Sequence, residues 1–393
     1  MLKKRTIVYV GPFFFPNGGA GARRILGISK TLQALDYNIM IGTGQCEIDA
    51  PLSNEYEGIK VYSLNERVAE NYPSLLKHLR YLFIGKKTIS WLNSLNEKPY
   101  AIILYSGYSP YFLRLLPWCK LNNIPLVFDA VEWYTPASLI KGILNPYYWN
   151  IELAMRFLSA KSKNIITISK YLQHFYQNKG CQTTRIPPTL DMATVSARLN
   201  ANKLSVITLG YTGSPGHKDL LNNVLSALLD IDEAGLKFIL NIAGITKEKL
   251  LDYPALKSKN IKVLPACIEC YGVVSHSKAL EIIRNSNFSV LLRPNKKYAK
   301  AGFPTKFVES LAVGTPVIAN YTSDLDRYLI DNKTGIVCKS EHKESFKSGL
   351  ERIKYLSHSQ FQSMRIEARA MAETYFDISS NKDELERFFL SLK

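Results

Sequence analysis

Cysteine is scarce, with 6 in 393 residues, too few for a disulfide framework. The pair in Cys267-Ile268-Glu269-Cys270 has CxxC spacing, but no second pair or Cys/His cluster accompanies it. A structural zinc needs four ligands, so these two read as ordinary thiols and no metal is expected. Long apolar runs are missing too, and none approaches the roughly 20 residues that cross a bilayer as a helix. The chain also lacks helix-turn-helix, RNP and zinc-finger patterns, which argues against a nucleic-acid partner. Met1-Leu2-Lys3-Lys4-Arg5 begins basic, as a signal peptide would. Thr6–Val10, however, reads as a short strand entering a Gly/Pro turn, with no small-residue cleavage site after it. The expected setting is the cytoplasm.

Acidic residues are outnumbered: 33 Asp and Glu against 50 Lys and Arg leave a net charge of +17. The excess is uneven. Residues 1–190 hold 22 basic and 11 acidic side chains, a balance of +11, against 28 and 22, or +6, in the rest. Such a balance suits a partner rich in phosphate, whether anionic lipid, a lipid-linked pyrophosphate or nucleic acid. Hydrophobic residues make up 46% and charged residues 21%, ordinary for a globular chain. The length fits two domains of roughly 150–200 residues each.

Two β/α runs are legible. The first opens with Thr6-Ile7-Val8-Tyr9-Val10, then Gly11-Pro12 and Pro16-Asn17-Gly18-Gly19-Ala20-Gly21. A helix follows over Arg23–Leu35, with Ile25, Leu26, Ile28, Leu32 and Leu35 at helical spacing. Further strands are expected at Asn38–Ile41, Lys60–Leu64, Ala101–Tyr105 and Pro125–Asp129, with Ile165–Ile168 closing the series. The second run opens at Ser205–Ser214. It continues with a helix over Leu220–Ala234 and strands at Lys237–Ala243, Ile261–Leu264, Phe288–Leu292, Pro316–Ala319 and Gly335–Cys338. Alternation of this kind implies parallel sheets covered on both faces. Pro187 and Pro188 mark the join. The expected architecture is α/β, two Rossmann-like, doubly wound domains facing a central cleft. The boundaries drawn are 1–190, 191–375 and a last helix over 376–393.

Ligands of such sheets bind beyond the carboxyl ends of the strands, where the glycine-rich turns sit. In the first, Gly18 and Gly19 let the backbone approach a ligand, and Arg23 adds positive charge. Its spacing is not GxGxxG and does not argue for a dinucleotide. Gly210-Tyr211-Thr212-Gly213-Ser214-Pro215-Gly216-His217-Lys218-Asp219 repeats the geometry, with Lys218 placed for a diphosphate near a helix start. Arg293-Pro294 and Ala301–Glu309 then read as strand, loop and helix. Gly302, Phe303 and Pro304 shape the loop, and Thr305 and Lys306 fill the first helical turn, whose amides suit a phosphate or sugar oxygen. Glu309, about one turn further, suits a pair of ribose hydroxyls.

Taken together these segments resemble the GT-B glycosyltransferases, the family 4 retaining enzymes in particular. Those carry a Gly-rich first loop, a Gly…Lys element opening the second domain, and Glu-x7-Glu on a helix followed by Gly-x-Pro-Val-Ile, here Gly314-Thr315-Pro316-Val317-Ile318. The likeness extends over essentially the whole chain, including a last helix ending in Phe388 and Phe389 that in such enzymes returns to the first domain. It implies that Glu309 holds the nucleotide ribose, Lys218 the donor diphosphate, and Gly18 and Gly19 the loop near donor phosphate and acceptor. The pattern departs at two positions. The first glutamate of Glu-x7-Glu is Ala301, and the arginine expected after the second-domain glycine, Gly213, is Ser214. Arg293 and Lys306 are the cations available to replace the missing charge. Asp129 and Glu132, after a strand of the first domain, are candidates for orienting the acceptor hydroxyl.

The resemblance implies a sugar transferase working with retention. It moves a sugar from a nucleotide-diphosphate donor to a glycan, lipid-linked acceptor, in assembly of a surface polysaccharide such as capsule or O-antigen. No cofactor or metal is expected beyond the nucleotide sugar. The basic and aromatic stretch Tyr72–Leu95 suits contact with an anionic membrane. Two other readings stand beside this one: a nucleotide-sugar 2-epimerase of the same fold, and a non-catalytic nucleotide-sugar or glycan-binding protein.

Overall fold

The computed structural model describes residues 4–45, 55–66, 80–134, 145–200, 205–216 and 218–392. Its strands are β1 (Thr6–Gly11), β2 (Asn38–Thr43), β3 (Glu55–Tyr56), β4 (Ile59–Ser63), β5 (Ala101–Tyr105), β6 (Leu126–Ala130), β7 (Asn164–Thr167), β8 (Gln182–Arg185), β9 (Ile207–Thr212), β10 (Phe238–Ala243), β11 (Ile268–Cys270), β12 (Phe288–Leu291), β13 (Val317–Asn320) and β14 (Gly335–Cys338). The helices are α1 (Gly19–Gln33), α2 (Lys86–Ser94), α3 (Ser109–Asn122), α4 (Pro146–Leu153), α5 (Lys170–Gln177), α6 (Leu221–Asp232), α7 (Lys247–Leu251), α8 (Pro254–Lys257), α9 (His276–Asn285), α10 (Lys297–Ala301), α11 (Thr305–Ala312), α12 (Lys343–Ile353), α13 (His358–Tyr375) and α14 (Lys382–Leu390). The chain divides into two compact units. One comprises Met1–Thr189, Ala301–Phe303 and Ile378–Lys393, the other Leu190–Lys300 and Pro304–Asp377.

The first unit holds an eight-stranded sheet in the order β3-β4-β2-β1-β5-β6-β7-β8. Every pairing is parallel except β3 with β4. β1 is buried from Ile7 to Gly11, as a strand covered on both faces must be. α1 lays Ala22, Ile25, Ile28 and Leu32 against it, a stripe at helical period. Leu385, Phe388 and Phe389 of α14 join the same core, and Tyr100 Oη donates to the Phe389 carbonyl at 2.7 Å.

The second unit holds a six-stranded, all-parallel sheet in the order β11-β10-β9-β12-β13-β14. Leu209, Phe238, Leu240, Phe288, Ile318 and Ile336 from the strands pack with Leu225 and Leu228 of α6 and Phe346 of α12. In each sheet the strand order reverses beside the first strand: β1 lies between β2 and β5, and β9 between β10 and β12. Successive crossovers leave in opposite directions there, opening a crevice at the carboxyl ends. The loops that follow β1, β9 and β12 are the segments singled out from the sequence.

Two expectations about strands need correction. Ile261–Leu264 is not a strand: Val263 is exposed, and the edge position beside β10 is taken by β11. β7 does not close the first sheet, because the polar Gln182-Thr183-Thr184-Arg185 pairs beyond it as β8. β3, two residues long, was not foreseen either. Such edges carry little apolar alternation to read.

A buried ion pair ties α1 to the first sheet. Asp129, fully buried at the end of β6, receives Arg24 Nη2 at 2.6 Å and Arg24 Nε at 3.0 Å. Tyr9 Oη of β1 donates to the same carboxylate at 2.5 Å, and Arg24 Nη1 donates to the Ile186 carbonyl at 2.8 Å. Burial and the Asp129 charge together push the Tyr9 hydroxyl well above its ordinary pKa, keeping it a donor. Removing one member strands the other charge in the interior. Asp129→Ala is therefore expected to cost about 3–5 kcal/mol in urea unfolding, whereas Glu132→Ala, on an exposed loop residue, leaves the midpoint essentially unchanged.

Candidate functional site

The loop after β9 turns at Gly213, whose φ of 102° lies in the region glycine favours. It runs against the turn after β10: a Cβ on Gly244, at φ 99°, would stand 2.6 Å from the Gly213 carbonyl carbon. The Gly213 N–H is committed to the Ala243 carbonyl at 2.8 Å. Gly213 therefore shapes the turn, and any anion must use donors beyond it. Ser214 and Lys218 are exposed on that loop. The Leu220 N–H closes it by donating to the Leu292 carbonyl at 2.8 Å.

The segment after β12 reaches the same crevice. Asn320, at the end of β13, brackets Arg293 by accepting from its N–H and donating to its carbonyl, both at 2.9 Å. Arg293 is buried; its Nε donates to the Lys218 carbonyl at 3.2 Å and lies 3.5 Å from Asp219 Oδ1. Lys306, in the first turn of α11, donates to Asp219 Oδ2 at 2.5 Å and to Tyr211 Oη at 2.9 Å. Tyr211 Oη in turn donates to Asp219 Oδ2 at 2.8 Å. Burial pulls the Lys306 ammonium below its ordinary pKa against the opposing pull of Asp219, and burial with Asp219 raises the Tyr211 hydroxyl well above its own.

Glu309 sits one turn further along α11, on the buried side, and its Oε1 lies 3.2 Å from Nε2 of His276 at the start of α9. Thus Gly213, Ser214, Lys218, Arg293, Thr305, Lys306 and Glu309 all come from loops or helix starts beyond the carboxyl ends of one parallel sheet. Pro304 is the residue before the first turn of α11. Ala301 is buried and accepts from Ser169 Oγ at 2.7 Å through its carbonyl; it belongs, with Gly302 and Phe303, to the first unit. A methyl group stands where the resembled pattern has a carboxylate.

In the first unit, Gly18 precedes α1, and a Cβ there would fall 2.0 Å from the Phe14 carbonyl oxygen. Gly19 has φ 64° with open space around the missing Cβ. Arg23 is partly exposed, while its neighbour Arg24 is the buried partner of Asp129. That pair corrects the expectation for Asp129: a carboxylate with no exposure, saturated by an arginine and a tyrosine, anchors the fold and cannot orient an acceptor. Glu132, exposed on the loop after β6, keeps its candidacy.

Sequence reasoning missed Tyr211, Asp219 and His276. Asp219 directly follows Lys218, but nothing in the spacing shows that its carboxylate points to Lys306. His276 has only a Ser275 helix cap beside it to signal a defined position.

Comparison with known proteins gives the site a context. Residues 201–371 match the model of the family Glycosyl transferases group 1. Among curated proteins no sequence matches this one. The structure is similar to sucrose-phosphate synthase (tll1590) from Thermosynechococcus elongatus, at TM-score 0.74 and 14% identity over 99% of this chain and 100% of that one. WaaG, a glycosyltransferase involved in lipopolysaccharide biosynthesis, superposes at TM-score 0.67 and 13% identity over 98% and 100%. Anabaena Alr3699/HepE in complex with UDP and glucose gives TM-score 0.66 and 13% identity over 99% and 100%. The fold is that of the GT-B glycosyltransferases.

The contact between the two turns makes one prediction independent of any ligand. Gly244→Ala forces a side chain against the Gly213 backbone at a left-handed φ, at an expected cost of about 1–3 kcal/mol. Urea unfolding measures it, with Gly272→Ala as control, since that glycine is also left-handed but has open space around it.

Proposed function

We propose that this chain, whose residues 201–371 match the Glycosyl transferases group 1 family, is a glycosyltransferase that moves a sugar from a nucleotide-diphosphate donor to a glycan acceptor with retention. The observation that carries this reading is the convergence of Lys218, the first turn of α11 and Glu309 at one sheet's switch point. That set offers a cation and a helix start for a diphosphate, and a carboxylate for a diol. The helix start lies about one turn from Glu309, so one element serves both ends of the nucleotide's ribose-diphosphate.

In the proposed step, the bond from the sugar's anomeric carbon to the diphosphate oxygen breaks. The acceptor oxygen bonds to that carbon on the same face, and its proton passes to the leaving phosphate. Lys218 and the helix-start amides stabilise the charge that develops on the diphosphate. Glu132 serves the acceptor hydroxyl. With Ala301 in place of a carboxylate, sugar recognition rests on groups other than the family's glutamate.

The acceptor we propose is lipid-linked, in assembly of a surface polysaccharide. Among the described residues no helix is long and apolar enough to cross a membrane. Support for peripheral contact comes from a surface of the first unit. Exposed positions between 146 and 163 carry Trp149, Leu153 and Phe157 with Arg156, Lys161 and Lys163, and no acid. Leu82 and Phe83 are exposed on the turn whose Tyr81 Oη accepts from Asn150 Nδ2 at 2.8 Å. Exposed aromatic and basic groups suit an anionic lipid surface, and Arg156 among them is ion-paired with the buried Glu152. Of the stretch Tyr72–Leu95, residues 72–79 lie outside the described residues; α2 turns Thr88 and Leu92 inward.

Three measurements test these proposals. Calorimetry against UDP, GDP, ADP, CDP and dTDP is expected to find a ligand. Lys218→Ala and Glu309→Ala should each weaken it by about 1.5–3 kcal/mol without unfolding the protein; unchanged affinity in both rejects the site. Release of nucleoside diphosphate from the donor only when a glycan acceptor is present separates a transferase from a binding protein and from an epimerase. On the membrane side, sedimentation with anionic vesicles at low salt should carry the protein down. Trp149→Ser/Leu153→Ser/Phe157→Ser should abolish that, and failure of the wild type to sediment rejects membrane contact.

A further inference from the structure

Lys306 is among the cations nearest the position where the resembled pattern has an arginine and this chain has Ser214. Its geometry nonetheless points inward. Two of its donors are spent on Asp219 Oδ2 and Tyr211 Oη, and its ammonium stands 4.2 Å over the Tyr211 ring centroid. Its stem fills the space a side chain at Gly213 would need, with Cε 2.8 Å from that absent Cβ. Tyr211 lies near the end of β9, just before the Gly213–Leu220 loop, and Asp219 near that loop's far end. Lys306 thus clasps both ends of one loop from beneath. Arg293 adds a second hold through the Lys218 carbonyl and the other Asp219 oxygen.

We propose that Lys306 is a positioning residue and that Asp219 is the hub of a clamp fixing the loop that presents Lys218. Lys306 does not replace the missing arginine at the phosphate. Moving its ammonium to a phosphate would strip a nearly buried carboxylate of its closest cation, and an unpaired charge in the interior is costly.

The inference rests on the nucleotide-site reading, and its test separates the two. In the ligand-free protein, hydrogen exchange of the Gly213, Asp219 and Leu220 amides, each donating to a carbonyl, should accelerate about tenfold or more in Asp219→Asn and Lys306→Met, with the β10 amides unchanged. Titration with whichever of the five nucleoside diphosphates binds the wild type then reads the consequence. Asp219→Asn is expected to weaken it about tenfold, and Lys306→Met to add little in the Asp219→Asn background, because both act through one clamp. A directly binding lysine predicts the reverse: Asp219→Asn frees its charge and tightens binding, and Lys306→Met costs the same in either background. Either of those results overturns the proposal, as does unchanged loop exchange. If no diphosphate binds the wild type, the site reading fails while the exchange experiment still decides the clamp. Tyr211→Phe, which removes one hydroxyl, is the milder variant and should show a smaller loss of both kinds.

Discussion

In each unit a buried carboxylate is shared between a tyrosine of the first strand and a basic side chain of a helix, and so ties that helix to the sheet. In the first unit Asp129 binds Tyr9 of β1 and Arg24 of α1. In the second, Asp219 binds Tyr211 of β9 and Lys306 of α11, with Arg293 at 3.5 Å. Hydrophobic packing sets the sheets and places helices on them, but it is non-directional and leaves the loops undetermined. The carboxylates supply direction. Each costs desolvation and is tolerable only when its oxygens are fully engaged, so the partners must occupy defined places.

The two clusters differ in exposure, and that difference separates anchor from site. Arg24 and Asp129 have almost no accessible surface, whereas the Lys306 side chain retains 24% beside an Asp219 at 7%. A fully enclosed pair can only stabilise. One beneath an exposed loop stands under the segment that carries Ser214 and Lys218, both of which solvent reaches. His276 against Glu309 is a third arrangement of the kind, a half-exposed ring beside a buried carboxylate.

Much of the architecture was legible because parallel strands buried on both faces are written as apolar runs. Ala101–Tyr105 and Gly335–Cys338 were bounded correctly for that reason, and the glycine turns announced the switch points. Polar edges such as Gln182–Arg185 were invisible, since a half-solvated edge needs no apolar pattern. In the second unit, the loop and helix start that lead to Glu309 could be placed because loop and helix chemistry is local. Asp129 misled for the opposite reason: a carboxylate at a strand's carboxyl end looks catalytic until its distant partner, 105 residues away in sequence, is known. Nothing in the spacing of Arg24 predicts that meeting.

The departures from the resembled pattern then acquire a physical meaning. Replacement of a carboxylate by Ala301 coincides with a buried methyl and a backbone carbonyl held by Ser169. A glutamate there would have to displace packed neighbours or leave a charge unpaired, so the loss is built into the local packing and a single reversion would not repair it. Ser214 is different. It is exposed, its loop is braced from below, and an arginine could be accommodated without disturbing a buried contact. Under the proposed function the first departure concerns the sugar and the second the phosphates, so the two should be separable by substitution.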